Sequence, residues 1–180
     1  MRRLSRAQIR ESLRAKRNSS WGQMTKASHL SHRSVVLYHA SIERLNEAQR
    51  AFASADYLLA IYLSGLGVEC ILQALASLAG AQHDAHHDLP RWLSKCPESL
   101  RESVKGNAGA SWSQLVAIWH NGLRYFSDAA LLGYLRERKA TRGIAGGPKA
   151  IVRENARRVV QSAAIIHTKG VSQWLSSTKN

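Results

Sequence analysis

Carboxylates are scarce in this chain: 12 Asp and Glu stand against 26 Lys and Arg, a formal net charge of +14. Cysteine is scarcer still. Cys70 and Cys96 alone make neither a disulfide framework nor a zinc knuckle, and they read as two reduced thiols in a cytoplasmic protein. Three prolines and few β-branched runs, set against much Ala, Leu, Arg and Ser, argue against a strand-rich fold and predict an all-α one. No internal repeat and no Gly-rich phosphate loop occur. The one Gly-x-Gly, Gly65-Leu66-Gly67, lies inside an apolar stretch and reads as a packing feature. Residues 1–20 are basic but lack the apolar core of a secretion signal, so nothing in them points to export.

What the chain does have is one long apolar stretch, from Tyr57 to Gly80, with Leu58, Ile61, Tyr62, Leu72, Leu75 and Leu78 among its large residues. A helix apolar on every side is either surrounded by other helices or spans a membrane. Glu69 and Gln73 argue against lipid, because a carboxylate at bilayer depth costs roughly 2.5–3.5 kcal/mol. The stretch therefore predicts the central rod of an up-and-down antiparallel helical bundle of about five to six helices, with no membrane partner. The 180 residues suffice for one domain with a real core.

Charge is unevenly spread. Residues 1–33 carry nine basic side chains against Glu11, residues 34–135 seven against nine acidic, and residues 136–158 eight against two. The body is close to neutral and the flanks hold the positive field. Such flanks gain affinity for RNA or another polyanion by releasing counterions from its phosphates.

In chain order, residues 1–27 form a basic N-terminal arm with Trp21 as its anchor, and residues 28–175 the bundle. A helix over about 28–52 places Val35, Tyr38, Ile42, Leu45 and Phe52 near one stripe, and the break at Ala53-Ser54-Ala55 makes it the antiparallel neighbour of the central helix. His83, Asp84, His86, His87 and Asp88 resemble metal ligands superficially. Their place before a new helix instead makes Asp88 an N-cap and Pro90 a first-turn residue, and no metal or cofactor is expected. Pro97 opens a short helix. Ser111 and Gln114 have capping-box spacing for a helix running through Leu115, Ile118, Trp119 and Leu123. A helical piece around Leu131, Leu132 and Leu135 leads into a basic, Gly-rich loop at 136–150. The last helix buries Val152, Ala156, Val159, Ala163 and Ile166.

Four segments occur in an order that resembles the HEPN domain: ASADYLLAIYLSGLGVECILQAL, HHDLPRWL, Trp119-x4-Arg124-Tyr125, and a long terminal helix. The similarity covers roughly residues 30–170 and leaves out the arm and the loop near 140–148. It implies a helical homodimer working on RNA or nucleotides. Many such domains are metal-independent ribonucleases with an Arg-x4–6-His motif, and others partner a minimal nucleotidyltransferase in toxin–antitoxin or defence systems. Here the motif departs. Arg158 and His167 are nine steps apart, on opposite helix faces, and the literal match, Arg33 with His39, lies at the entrance of the first helix. The expectation is thus a binding module without its own catalytic motif. The alternatives are a ribonuclease with a rearranged Arg/His site, using Arg33, His39, Arg158 or His167, and a non-catalytic scaffold. On this resemblance, the HDL-like segment and the Arg-Tyr pair imply a nucleotide near His87, Arg124 and Tyr125, with a capped helix start as the alternative role of His87. Arg136, Arg138, Lys139, Arg142, Arg153, Arg157 and Arg158 are the expected phosphate contacts. Glu69 and Asp88 are structural, with Arg124 as the expected partner of Glu69.

Overall fold

Seven α-helices and one 3-10 turn, with no strand among the described residues, make an all-α bundle in the computed structural model, which describes residues 31–82 and 85–179. The arm expected over 1–27, with Trp21, and the loop residues His83 and Asp84 lie outside the described residues. The helices are α1 His32–Ala53, α2 Tyr57–Leu78, α3 Leu89–Ser94, α4 Glu98–Lys105, α5 Gly109–Ile118, α6 Asp128–Glu137 and α7 Pro148–Thr178, with the 3-10 turn at Asn121–Tyr125.

The central rod is α2. Leu72, Leu75, Ile61, Ile71 and Val68 are fully buried, and Glu69 is 1% exposed. By length and composition alone this helix could cross a membrane, but most of its apolar surface is covered by protein. Burying each large aliphatic side chain contributes about 1.5–3 kcal/mol, so this helix is the main source of cohesion. α1, α3 and α7 pack along it, and α4, α5 and α6 lean on α7.

Direction follows from two contacts between α1 and α7. Tyr38 stacks on Trp174, with ring centroids 4.8 Å apart, and Ser41 meets His167 at 2.9 Å. As α1 advances α7 recedes, so the two are antiparallel. The turn at Ser54–Asp56 also sets α1 against α2, and α2 and α7 therefore run the same way. The short helices α3–α6 carry the chain back between them.

The face that α1 buries is not the expected large stripe. Ser34, Ser41, Leu45, Ala48 and Ala51 are buried, whereas Val35, Tyr38, Ile42 and Phe52 are only half-buried. Small residues win because α1 and α2 approach closely. A methyl at Gly67 would lie 1.8 Å from Leu45 Cδ2 and 3.2 Å from the Ser41 carbonyl oxygen. Gly65 is the second such place: the Trp119 indole occupies the space a side chain would need, 2.1 Å from an ideal Cβ.

Helix ends follow local rules. Ser31, Asp56, Asp88 and Ser127 each accept a backbone N–H three residues on, capping α1, α2, α3 and α6. Asp88 thus takes its expected role, with Pro90 in the first turn of α3. α1, α2 and α6 end in the same reverse turn, closed by Asp56 N–H to Ala51 O, Ala81 N–H to Ala76 O and Ala140 N–H to Leu135 O. The left-handed residue is Gly80 in one case but Ala55 (φ 63°) and Lys139 (φ 56°) in the others.

Two expectations need correction. Ser111 does not start α5, which begins at Gly109 after Ala108 with no side-chain cap, because the preceding turn at Gly106 already redirects the chain. Trp119 to Tyr125 is not helical throughout. α5 stops at Ile118, and Trp119 turns extended so that its ring reaches Gly65 and its Nε1 donates to the Tyr62 carbonyl at 2.9 Å. The chain then resumes as a 3-10 turn.

Candidate nucleic-acid interface

The N-terminal half of α7 places Arg153, Glu154, Arg157 and Arg158 within two turns, with Arg157 and Arg158 both on the Glu154 carboxylate and Arg153 beside them. Facing them is the turn Gly143–Ala145, where Gly143 has φ +73° and open space at its Cβ position. Between the helix and the turn lies an open groove of about 400 Å³ lined by these residues and Ala150. The turn is anchored from below by Asn155, which is 1% exposed and whose Nδ2 donates to the Ala140 carbonyl (3.1 Å) and the Ile151 carbonyl (2.9 Å). Asn155 is a site residue that pattern reading missed. The available signal was an amide lodged between Val152 and Ala156 in the buried stripe.

Within the groove Glu154 organises the cations. Arg157 donates through Nε to Oε2 (2.7 Å) and through Nη2 to Oε1 (2.6 Å), and its Nη1 reaches Gln161 Oε1 at 2.8 Å. Arg158 donates through Nε to the same Oε1 at 2.7 Å. These hydrogen bonds, those of Arg157 first and then Arg158, hold the Glu154 carboxyl down at about 2 and raise Arg157. Arg153 is exposed and has no carboxylate partner among the described residues.

Comparison of the chain with models of known families, with curated proteins and with solved structures gives no match.

The remaining expected phosphate contacts, Arg136, Arg138, Lys139 and Arg142, are all exposed, at the end of α6 and in the turn that follows. They lie outside the groove lining, and Arg138 stacks over the Tyr134 ring at 5.2 Å. That ring belongs to an edge-to-face cluster with His120 and Phe126, and its hydroxyl donates to the Ile118 carbonyl at 2.9 Å. Burial and the nearby Arg138 charge lower the His120 pKa.

His87, Arg124 and Tyr125 fall into two groups. Arg124 stacks over Tyr125 at 4.7 Å on the 3-10 turn, and Tyr125 is 76% exposed. His87 turns to the core instead, and this corrects the expected Glu69–Arg124 pair. Glu69 Oε1 takes Gln73 Nε2 at 2.7 Å and His87 Nδ1 at 2.9 Å. The break after Ile118 points Arg124 outward, and the loop before α3 brings His87 in. Burial raises the Glu69 pKa, opposed by the His87 hydrogen bond and charge and by Gln73. With its side chain 43% exposed, His87 carries the buried carboxylate's interaction to the surface.

The Arg/His pairs do not converge. Arg33 and His39 are both exposed on α1, with His39 edge-on to Tyr38. Arg158 is held by Glu154, whereas His167 is packed against α1. There the Ser41 hydroxyl donates to the Tyr38 carbonyl (2.6 Å), leaving its oxygen to accept from His167 Nε2–H at 2.9 Å. Burial lowers the His167 pKa.

Proposed function

We propose that this protein is a helical module that binds RNA or a similar polyanion along the groove between α7 and the Gly143–Ala145 turn, without a catalytic motif of its own. The observation that carries the reading is the gathering of Arg153, Arg157 and Arg158 on one open groove beside a turn that itself follows Arg136, Arg138, Lys139 and Arg142. Guanidinium forks suit phosphate oxygens, and a neutral body with cationic flanks orients a polyanion onto the flank. The resemblance to HEPN domains supports the same class of ligand. A homodimer, and a minimal nucleotidyltransferase as partner, belong to this proposal on that resemblance.

Contact of this kind positions phosphates and reads few bases, so sequence preference should be weak and salt dependence steep. Each neutralised phosphate of a single strand contributes a slope of about −0.7 in log K against log salt. Titration of labelled RNA at several salt concentrations should therefore give a slope of about −1.4 from the two positive charges of the groove that Glu154 leaves uncompensated. Replacing Arg153, Arg157 and Arg158 together by Gln should remove most of it. Binding that ignores salt, or a triple variant that binds like the parent, overturns the reading.

A further inference from the structure

We infer that the groove is built for a phosphate monoester, and that Glu154 stands where one edge of that phosphate binds. This deepens the polyanion reading and rests on it.

The arrangement around Glu154 has the shape of an occupied anion site. One carboxylate oxygen, Oε1, is shared by the Nη2 of Arg157 and the Nε of Arg158, at 2.6 and 2.7 Å, and the other is taken by the Nε of Arg157. Two guanidinium groups converging on one oxygen is how arginines clasp phosphate. Arg157 has three of its five N–H donors engaged, two on Glu154 and one on Gln161, which leaves one on each terminal nitrogen. Arg158 keeps both terminal nitrogens, and Arg153 its whole guanidinium, for a ligand lying between α7 and the turn. The opposite wall, at Gly143, has no side chain to block approach.

Charge selects among phosphates. Three arginines and one glutamate leave the groove with a formal surplus of two positive charges. An internal phosphodiester, with one negative charge, leaves that surplus half unmet. A terminal phosphate monoester carries about −1.5 to −2 at neutral pH and balances it, as well as offering a third acceptor oxygen. Glu154 opposes the ligand by like-charge repulsion across a few ångströms of solvent-exposed space. Its conversion to Gln keeps an oxygen for the arginines and removes that opposition.

The same chemistry is offered by a phosphorylated RNA end and by a free nucleotide, and the test separates them. Anisotropy of a short labelled single-stranded RNA is measured with a 5′-phosphate and with a 5′-hydroxyl, for the whole protein and for E154Q and R158Q. AMP, adenosine and inorganic phosphate serve as competitors, and arginine Nε–H resonances are followed by NMR with AMP alone. The phosphorylated RNA is expected to bind roughly fivefold tighter, with AMP and inorganic phosphate competing and adenosine inert. E154Q is expected to tighten it roughly three- to tenfold, and R158Q to erase the preference for the phosphorylated end. Equal binding of both RNAs with steep salt dependence overturns this inference and leaves the polyanion reading standing. Weaker binding by E154Q overturns the role given to Glu154. Arginine shifts with AMP in the absence of any RNA binding support the site with a free nucleotide as its source, and overturn the RNA reading instead. Silence in both measurements overturns the two together.

Discussion

Replacing Gly65 by Ala sets two opposed effects against each other. In a helix interior Ala is favoured over Gly by about 0.8–1.0 kcal/mol. At this position the new methyl would meet Trp119 Cδ1 at 2.1 Å and Cγ and Nε1 at 2.2 Å. Carbon atoms rest at about 3.5–4.0 Å, so the indole must retreat by more than about 1 Å. It cannot do so freely, because Trp119 is 5% exposed and its Nε1 is bonded to the Tyr62 carbonyl. Overpacking of this kind costs about 1–3 kcal/mol, and loss of the hydrogen bond about 0.5–1.5 kcal/mol more. The clash wins, with a net destabilisation of about 2 kcal/mol and a fall in Tm of about 4–8 °C for a domain of this size. Thermal and urea unfolding followed by circular dichroism read the effect. Gly133→Ala is the control of opposite sign: it sits within α6 with nothing within 4 Å of its Cβ position, and should stabilise by about 0.5–1 kcal/mol. Adding Trp119→Leu should make Gly65→Ala nearly free of cost. If Gly65→Ala raises Tm as Gly133→Ala does, the close approach of Trp119 to α2 is wrong.

His167, with its pKa lowered from an ordinary value near 6.5, gives up stability as pH falls from about 6.5 toward its folded value, since only the unfolded chain takes the proton readily. Urea midpoints across that range should slope in the parent and flatten in His167→Gln. Glu69 works in the other direction: its raised pKa means that stability present at low pH is lost as pH rises past about 4.3 toward the folded value. Glu69→Gln keeps an acceptor for Gln73 and should cost less than about 1 kcal/mol at neutral pH, whereas Glu69→Ala strands that amide and opens a cavity, costing about 2–4 kcal/mol by urea unfolding. Burial pushes the thiols of Cys70 and Cys96 up to about 11 and about 12, so a disulfide reagent at pH 8 should label neither rapidly until denaturant is added. Ala55→Gly relieves a left-handed alanine and should raise stability by about 0.5–1 kcal/mol in the same unfolding assay.

Much of the fold was legible because its signals are local or periodic. The enclosed α2, the buried stripe of α7 at Val152, Ala156, Val159, Ala163 and Ile166, the Asp88 cap and the packing role of Gly65 and Gly67 all follow from spacing or from one residue's chemistry. What pattern reading missed depends on approach distance and on chain reversal. Apart from Leu45, which fits over Gly67, the buried face of α1 is made of serines and alanines because α2 comes close, and hydropathy ranks those residues below Val35 and Ile42. The stop after Ile118 carries no proline or glycine at the break. It is imposed by the fit of Trp119 against Gly65, a contact between residues 54 positions apart. Losing that break put Arg124 on the wrong side and hid His87 as the neighbour of Glu69. In the groove, the arginines were visible as a charge run, but their engagement with Glu154 depends on which rotamers the helix surface allows.

The stacking of Tyr38 on Trp174 joins the first described helix to the last, with consequences during biosynthesis. α1 and α2 leave the ribosome well before the segment carrying Gly170 and Trp174 is made, and until then Ile71 lacks its cover at Gly170 and Tyr38 its stacking partner. The hairpin they form is therefore a greasy, half-clad intermediate that must wait for its final wrapper. Chains truncated within the α3–α6 connection would be clients for chaperones and prone to clump, while chains that extend through α7 close like a clasp once that helix emerges.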